Sequence, residues 1–124
     1  MYPLSRLQVY AQAVELARVC YAQSRRIADR DLQSQLVRAT RSIPANLAEG
    51  AGSGSQAAFA RYIAIAAAST REVRCHLEIA RDATLLDDDA YHELLERIDN
   101  LAPRLYKLLD AVRRNDKRRT RSTP

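Results

Sequence analysis

Few side chains in this sequence have the chemistry of a catalytic or metal site. Among the two histidines and two cysteines, Cys20 and His92 stand apart, whereas Cys75 and His76 are adjacent and close to Glu78. That group could form a reactive thiol, but its surroundings are typical of a helix face and not of a cleft. A di-iron helical protein needs Glu-x-x-His on two helices with further carboxylates, and only Asp89-x-x-His92 comes near that pattern. We therefore expect no metal, no cofactor and no enzymatic activity. Because both cysteines lie among apolar residues, we also expect both to be small buried side chains.

Basic side chains are a second chemical feature, and they are concentrated at the C-terminus. Segment 113–124 contains six basic residues and one acid, so it carries the whole net charge of +5. An arginine-rich arm can follow a phosphate backbone, although a short basic terminus can also serve only solubility. Two arginines further upstream, Arg38 and Arg41, are added to these six. The residues predicted to bind nucleic acid are therefore Arg38, Arg41, Arg113, Arg114, Lys117, Arg118, Arg119 and Arg121.

A polar stripe in the middle of the chain is the third candidate. At about 100° per residue of a helix, its members fall on one side, about a quarter-turn from the apolar face. They are Gln35, Arg38, Ser42, Asn46 and Glu49. One interpretation is a hydrogen-bond network that joins helices around Pro44, and the other is a surface for a ligand or partner.

The elements that must position these residues belong to one small domain. The chain has 124 residues, of which 47% are hydrophobic and 28% charged, with only three glycines and four prolines. This composition favours a helical protein. We divide it into a helical body, 1–112, and a basic, flexible tail, 113–124. The absence of a signal-like N-terminus or a bilayer-length apolar run favours a cytoplasmic protein without membrane contact.

Four segments show apolar residues at helical spacing. They cover about 4–28, a second segment that opens at Asp29 or Asp31, 56–85, and a fourth from Asp87 to Val112. All three glycines lie in the turn 50–54, which breaks the second helix from the third. Ser5 with Gln8, Ser53 with Gln56, and Asp87 are the predicted helix caps, with Leu4 and Val9 as a hydrophobic staple. Short connections favour antiparallel neighbours, so we predict an all-α, up-down-up-down four-helix bundle.

The predicted core faces of the first and fourth helices follow the same spacing. The first consists of Leu7, Tyr10, Val14, Ala17, Tyr21, Ser24 and Ala28. The fourth consists of Tyr91, Leu94, Ile98, Leu101, Leu105, Leu108 and Val112.

The third helix is unusually apolar. From Ala57 to Ser69 it reads AAFARYIAIAAAS, and Arg61 is its only charged residue. A helix that is apolar on every side is normally buried on every side, which predicts self-association. The alternative is that alanine is only a good helix former that tolerates water. The predicted interface residues are Ala57, Ala58, Ala60, Ala64, Ala67 and Ala68.

One sequence motif resembles a known family. The stretch LQSQLVRATRSIPANLAEGAGSGS, 32–55, is similar to the signature of the 23S rRNA intervening-sequence protein family, also called four helix bundle protein. The motif residues are Ser42, Pro44, Asn46, Glu49 and Gly50. The strings ASTRE, 68–72, and HLEIA, 76–80, resemble the family's third helix. The resemblance implies a four-helix bundle that assembles as a ring-like homopentamer.

The resemblance also suggests a partner. Many relatives are encoded within intervening sequences of ribosomal RNA genes, which motivates RNA as the ligand of the basic residues. Our first hypothesis is thus a non-enzymatic homo-oligomeric scaffold that binds RNA or a ribonucleoprotein. The second is a protein–protein assembly module with no nucleic-acid ligand.

Overall fold

The computed structural model describes residues 7–122, and this part of the chain is almost entirely helical. Its four elements are α1 (Gln8–Ser24), α2 (Arg30–Ala51), α3 (Gln56–Asp82) and α4 (Asp88–Ser122). No strand occurs within these residues. The prediction of an all-α protein with four helices is confirmed. Among the described helices, none has both the length and the apolar character needed to cross a bilayer.

Side chains cap the beginnings of three helices. The carboxylate of Asp29 accepts a hydrogen bond from the backbone N–H of Leu32 at 3.0 Å, which begins α2. Asp87 caps α4 in the same way, at 2.8 Å from the N–H of Ala90, as predicted. The cap of α3 is Ser55 and not Ser53, because the Ser53 hydroxyl donates to the Gly50 carbonyl at 2.6 Å. The predicted cap Ser5 and staple residue Leu4 lie outside the described residues.

The four helices pack around one apolar core. Each helix contacts the next one in the chain, and α1 also contacts α4. Within residues 7–122, no pair of Cα atoms within 8 Å joins α1 to α3 or α2 to α4. The helices therefore lie in cyclic order, with α2 diagonally opposite α4. This order decides which surface residues can share a site.

The buried face of α1 differs from the predicted one. Val14 is 42% exposed and Tyr21 is 54% exposed, although both were assigned to the core. The residues that α1 does bury are Val9, Ala13, Leu16, Val19, Cys20 and Ser24. Both sets have helical spacing, so the α1 sequence carries two apolar stripes, and packing against α2 and α4 selects one.

Two smaller core assignments also change. In α4, Leu109 is buried and Leu108 is only partly buried, the reverse of the predicted pattern. In α3, Cys75 is exposed, so the prediction that it is buried is wrong. The positions 59, 63, 66, 70, 73, 77 and 80 form the core face of α3, and they leave position 75 on the outside.

Helix α4 does not end at Val112. It continues to Ser122, so the predicted end of the helix is wrong. Arginine and lysine are good helix formers and are favoured near a helix C-terminus. Asp116 also faces Arg119, with 4.0 Å between carboxylate and guanidinium. Residues 113–122 are therefore held in the same helix as the core residues before them.

Candidate nucleic-acid interface and assembly face

The extension of α4 places most of its cations on one exposed face. Leu105, Leu109 and Val112 point into the core. At about 100° per residue, five basic side chains fall within an arc of about 100° on the opposite side. We call them the basic ridge: Lys107, Arg114, Lys117, Arg118 and Arg121, all exposed. Between Lys107 and Arg121, Asp110 is the one acid within the same arc, and it is also exposed.

Lys107 was not among the sequence-predicted binding residues. It was missed because the helix was expected to stop at Val112, which separated the tail from the residues before it. The steps from Lys107 to Arg114, Arg118 and Arg121 are seven, four and three residues, a helical spacing. A helix continued past Val112 would have made this pattern visible.

Arg113 and Arg119 turn away from the basic ridge. Arg113 and Asp116 line a groove against the beginning of α3, together with Ala57 and Ile65. Arg119 faces Asp116 and lines a small cavity with Gly50 and Phe59. These two arginines belong to the contact between the α4 extension and the α2–α3 end of the protein.

Arg38 and Arg41 lie on a different side of the protein from the basic ridge. Both are exposed on α2, and in the described chain no Cα atom of α2 lies within 8 Å of one in α4. They line a groove between α1 and α2 with Tyr10, Val14 and Pro44. The structure therefore does not bring the predicted nucleic-acid residues together, and the ridge holds the larger group.

The polar stripe of α2 forms a hydrogen-bond chain to α3. The Asn46 amide donates to the Ser42 hydroxyl at 3.0 Å, and Ser42 lies 2.9 Å from the Ser69 hydroxyl. Ser69 donates to the Ile65 carbonyl at 3.0 Å, so the Ser42 proton points to Ser69. This matches the interpretation of the stripe as a network between helices. Glu49 is exposed and lies outside this chain.

Gly50 allows α2 and α3 to approach closely. A Cβ atom added at this position would lie 2.8 Å from both Phe59 Cδ1 and Tyr62 Cβ. Carbon atoms in contact are normally about 3.5–4.0 Å apart. No other residue type fits here without moving α3, which gives the glycine of the motif a packing role.

The predicted interface alanines divide into two groups. Ala60 and Ala67 are only 8% and 1% exposed and belong to the core of the protein itself. Ala57 and Ala68 are exposed, and Ala58 and Ala64 are partly buried. The two core alanines therefore offer little surface to a second copy.

Larger apolar side chains lie beside the exposed alanines. Ile65 is 47% exposed and Ile79 is 50% exposed. They extend an outward apolar band along α3, which we call the α3 stripe: Ala57, Ala64, Ile65, Ala68, Cys75 and Ile79. Between Ala57 and Ile79, Arg61 and Glu72 are the charged residues within its arc.

Comparison with known proteins identifies the family. A family model described as 23S rRNA-intervening sequence protein matches residues 5–107. The chain belongs to this family. A search of curated proteins finds no match for it. The match to the 23S rRNA-intervening sequence family covers most of the chain, including the α2 motif, but stops at Lys107. Four of the five ridge residues therefore lie beyond the part that matches the family.

In the part of this family member that the structure describes, the titratable side chains form no metal-binding group. Within residues 7–122, no three His, Cys, Asp or Glu side chains are placed to hold one ion. His76 lies 3.4 Å from the Glu72 carboxylate on the same helix. Burial raises the pKa of the Cys20 thiol to about 11, and a hydrogen bond with Thr40 offsets a part of this shift. At neutral pH, Cys20 is therefore an inert thiol inside the core.

Proposed function

We propose that the protein is a non-enzymatic homo-oligomeric scaffold that binds RNA through its basic ridge. In this proposal each chain is an up-down-up-down four-helix bundle, and copies join in a ring through the α3 stripe. The single observation that carries the RNA role is the row of exposed cations on the face of α4 that points away from the core.

Side-chain contacts support the antiparallel order of the helices. Between α1 and α4, Gln23 lies 3.3 Å from Glu93, whereas Glu15, earlier in α1, lies 4.0 Å from Arg97, later in α4. Residue numbers that rise on one helix and fall on its partner are expected for antiparallel neighbours.

The α3 stripe supports assembly. In a single chain, Ile65 and Ile79 are about half exposed. They lie on the same helix face as exposed alanines, whose small side chains allow another helix to approach closely. An exposed apolar band with only two charged residues in it is typical of a protein–protein interface. The five-fold ring is what the family resemblance implies, and the stripe supplies a surface for it.

Light scattering with a matched pair of variants tests the assembly. We expect the wild type at micromolar concentration to have five times the chain mass of 14.0 kDa. Ile65→Glu places a charge in the stripe and should lower the mass. Val14→Glu is the control, because Val14 is 42% exposed, close to the 47% of Ile65, but lies on α1. A monomeric wild type would contradict the proposal, as would a mass lowered by Val14→Glu alone.

The charge distribution supports binding to a polyanion. The ridge cations are exposed, and none of them has an acidic partner within 4.0 Å among the described ion pairs. Cations of this kind contact phosphates, and such contacts are largely independent of base sequence. The family name adds the link to RNA, and phosphate binding is the chemistry that this surface supports.

Fluorescence anisotropy with a structured RNA over a salt series tests the RNA role. We expect binding at low salt that weakens as salt rises, with the log–log slope reduced by about two in Arg114→Gln/Arg118→Gln. The control Arg26→Gln/Arg30→Gln removes two exposed arginines at the same spacing from the opposite end of the helices. Substitution is preferable to truncation, because residues 113–122 are part of α4.

A protein–protein assembly module without nucleic acid is the second candidate function, and the α3 stripe favours it independently. An oligomer that shows no RNA binding even at low salt would establish this alternative. Equal binding by the ridge variant and its control would exclude the basic ridge as the RNA surface.

A further inference from the structure

The basic ridge has a geometry that selects among nucleic acids. We propose that it binds the sugar–phosphate backbone of A-form double-stranded RNA in preference to single-stranded RNA. This inference rests on the proposed RNA binding and narrows its substrate class. Three properties of α4 support it: its residue types, the rigidity of its cation row, and the arrangement of the cations as a single row.

The residue types argue against recognition of single strands. Proteins that bind single-stranded nucleic acid without sequence preference stack bases on aromatic rings, at about 1–3 kcal/mol per base. The segment 107–122 contains no aromatic residue. Tyr106, just before it, is 39% exposed and lies at the edge of the ridge arc, on the side of α3. The ridge therefore offers charge without an aromatic stacking platform.

The rigidity of the helix favours a rigid partner. Lys107 belongs to the same turns of α4 that bury Leu105 and Leu109, so the row begins on a segment anchored in the core. A flexible single strand would lose conformational entropy when its phosphates align with a fixed row of cations. A duplex has its phosphates already in place, so that cost is smaller.

The arrangement of the cations as one row suits the narrow A-form major groove. From Lys107 to Arg121 the helix rises about 21 Å, at about 1.5 Å per residue. The A-form major groove is deep and narrow, so its two phosphate rows lie close together. One row of long basic side chains can therefore approach phosphates of both strands, whereas a single strand presents one row.

Asp110 provides a separate test of whether the basic ridge contacts phosphate. It is exposed within the ridge arc, between Lys107 and Arg114. A carboxylate at this position repels phosphate. We expect Asp110→Asn to tighten duplex binding severalfold at low salt, whereas Asp82→Asn, which removes an exposed acid at the end of α3, should leave it unchanged.

The decisive experiment compares three ligands of one sequence with the full-length protein. They are an RNA duplex of about 20 base pairs, one of its strands, chosen so that it does not pair with itself, and the DNA duplex of the same sequence. About 20 base pairs exceed the ~16 that known duplex-RNA-binding domains span. We expect the RNA duplex to bind at least about tenfold tighter than the strand at equal salt. The Arg114→Gln/Arg118→Gln variant should lose most of this preference, and Arg26→Gln/Arg30→Gln should keep it.

The outcomes separate this inference from the proposed function. Equal or tighter binding of the single strand overturns the duplex preference but leaves RNA binding intact. Equal binding of RNA and DNA duplexes overturns the A-form requirement. An absence of binding to every ligand at low salt contradicts the proposed RNA function itself.

Discussion

Gly50→Ala tests whether the close approach of α2 and α3 depends on the missing side chain. The new methyl group would lie 2.8 Å from Tyr62 Cβ and from Phe59 Cδ1. The Phe59 ring can rotate, but Tyr62 Cβ is attached directly to the backbone of α3 and cannot move alone. The helix must therefore shift by several tenths of an ångström, which disturbs the packing around it.

The expected magnitude is the difference between two opposing effects. Overpacking a tight site costs about 1–3 kcal/mol. Alanine is favoured over glycine inside a helix by up to about 1 kcal/mol, which acts in the other direction. Gly52→Ala is the matched control, because its nearest neighbour would be the Ala48 carbonyl oxygen at 3.7 Å, an ordinary contact. Alanine restricts the unfolded chain at both positions, so this gain largely cancels between the two variants. We therefore expect Gly50→Ala to be less stable than Gly52→Ala by the overpacking cost, about 1–3 kcal/mol.

Urea unfolding followed by circular dichroism measures this difference. Both variants must be compared at the same protein concentration, because the stability of an oligomer depends on it. A lower midpoint with an unchanged slope would show a loss of stability without a change in the surface exposed on unfolding. Equal midpoints for the two variants would refute the argument that Gly50 is needed for close packing.

Three further predictions concern single side chains. In a Cys75→Ser background, stability should fall as pH rises from about 9 to about 11, by on the order of 2 kcal/mol, because burial raises the pKa of Cys20 and the thiolate forms more easily in the unfolded chain. Unfolding of a Cys20→Ala variant should lack this part of the pH dependence. Thr84 has a φ of 57°, a left-handed backbone conformation that glycine adopts without strain. Thr84→Gly should therefore raise the free energy of unfolding by about 1 kcal/mol, whereas Thr84→Ala should give little of this gain. Ser42→Ala should cost about 1 kcal/mol of stability in urea unfolding. The double variant Ser42→Ala/Ser69→Ala should lose less stability than the sum of the two single variants, because both single changes remove the same Ser42–Ser69 hydrogen bond.

The part of the site that could be predicted was its composition. The concentration of cations near the C-terminus and the apolar character of α3 are both visible in the sequence. Their arrangement was not, because Arg38 and Arg41 share a surface with Arg114 only if α2 and α4 are neighbours. The cyclic order of the helices places them apart. In the same way, nothing in a run of alanines tells which of them, such as Ala67, face the core of their own chain.

The sequence by itself determined where the helices are, since periodicity and caps such as Asp29 and Asp87 act between residues a few positions apart. Tertiary structure decided which of two apolar stripes on α1 is buried, how far α4 continues, and which cations form one row. The physical reason is that burial depends on the surfaces of neighbouring helices. A helix with two apolar faces, or a basic segment that can continue a helix, takes its final arrangement from the elements packed against it.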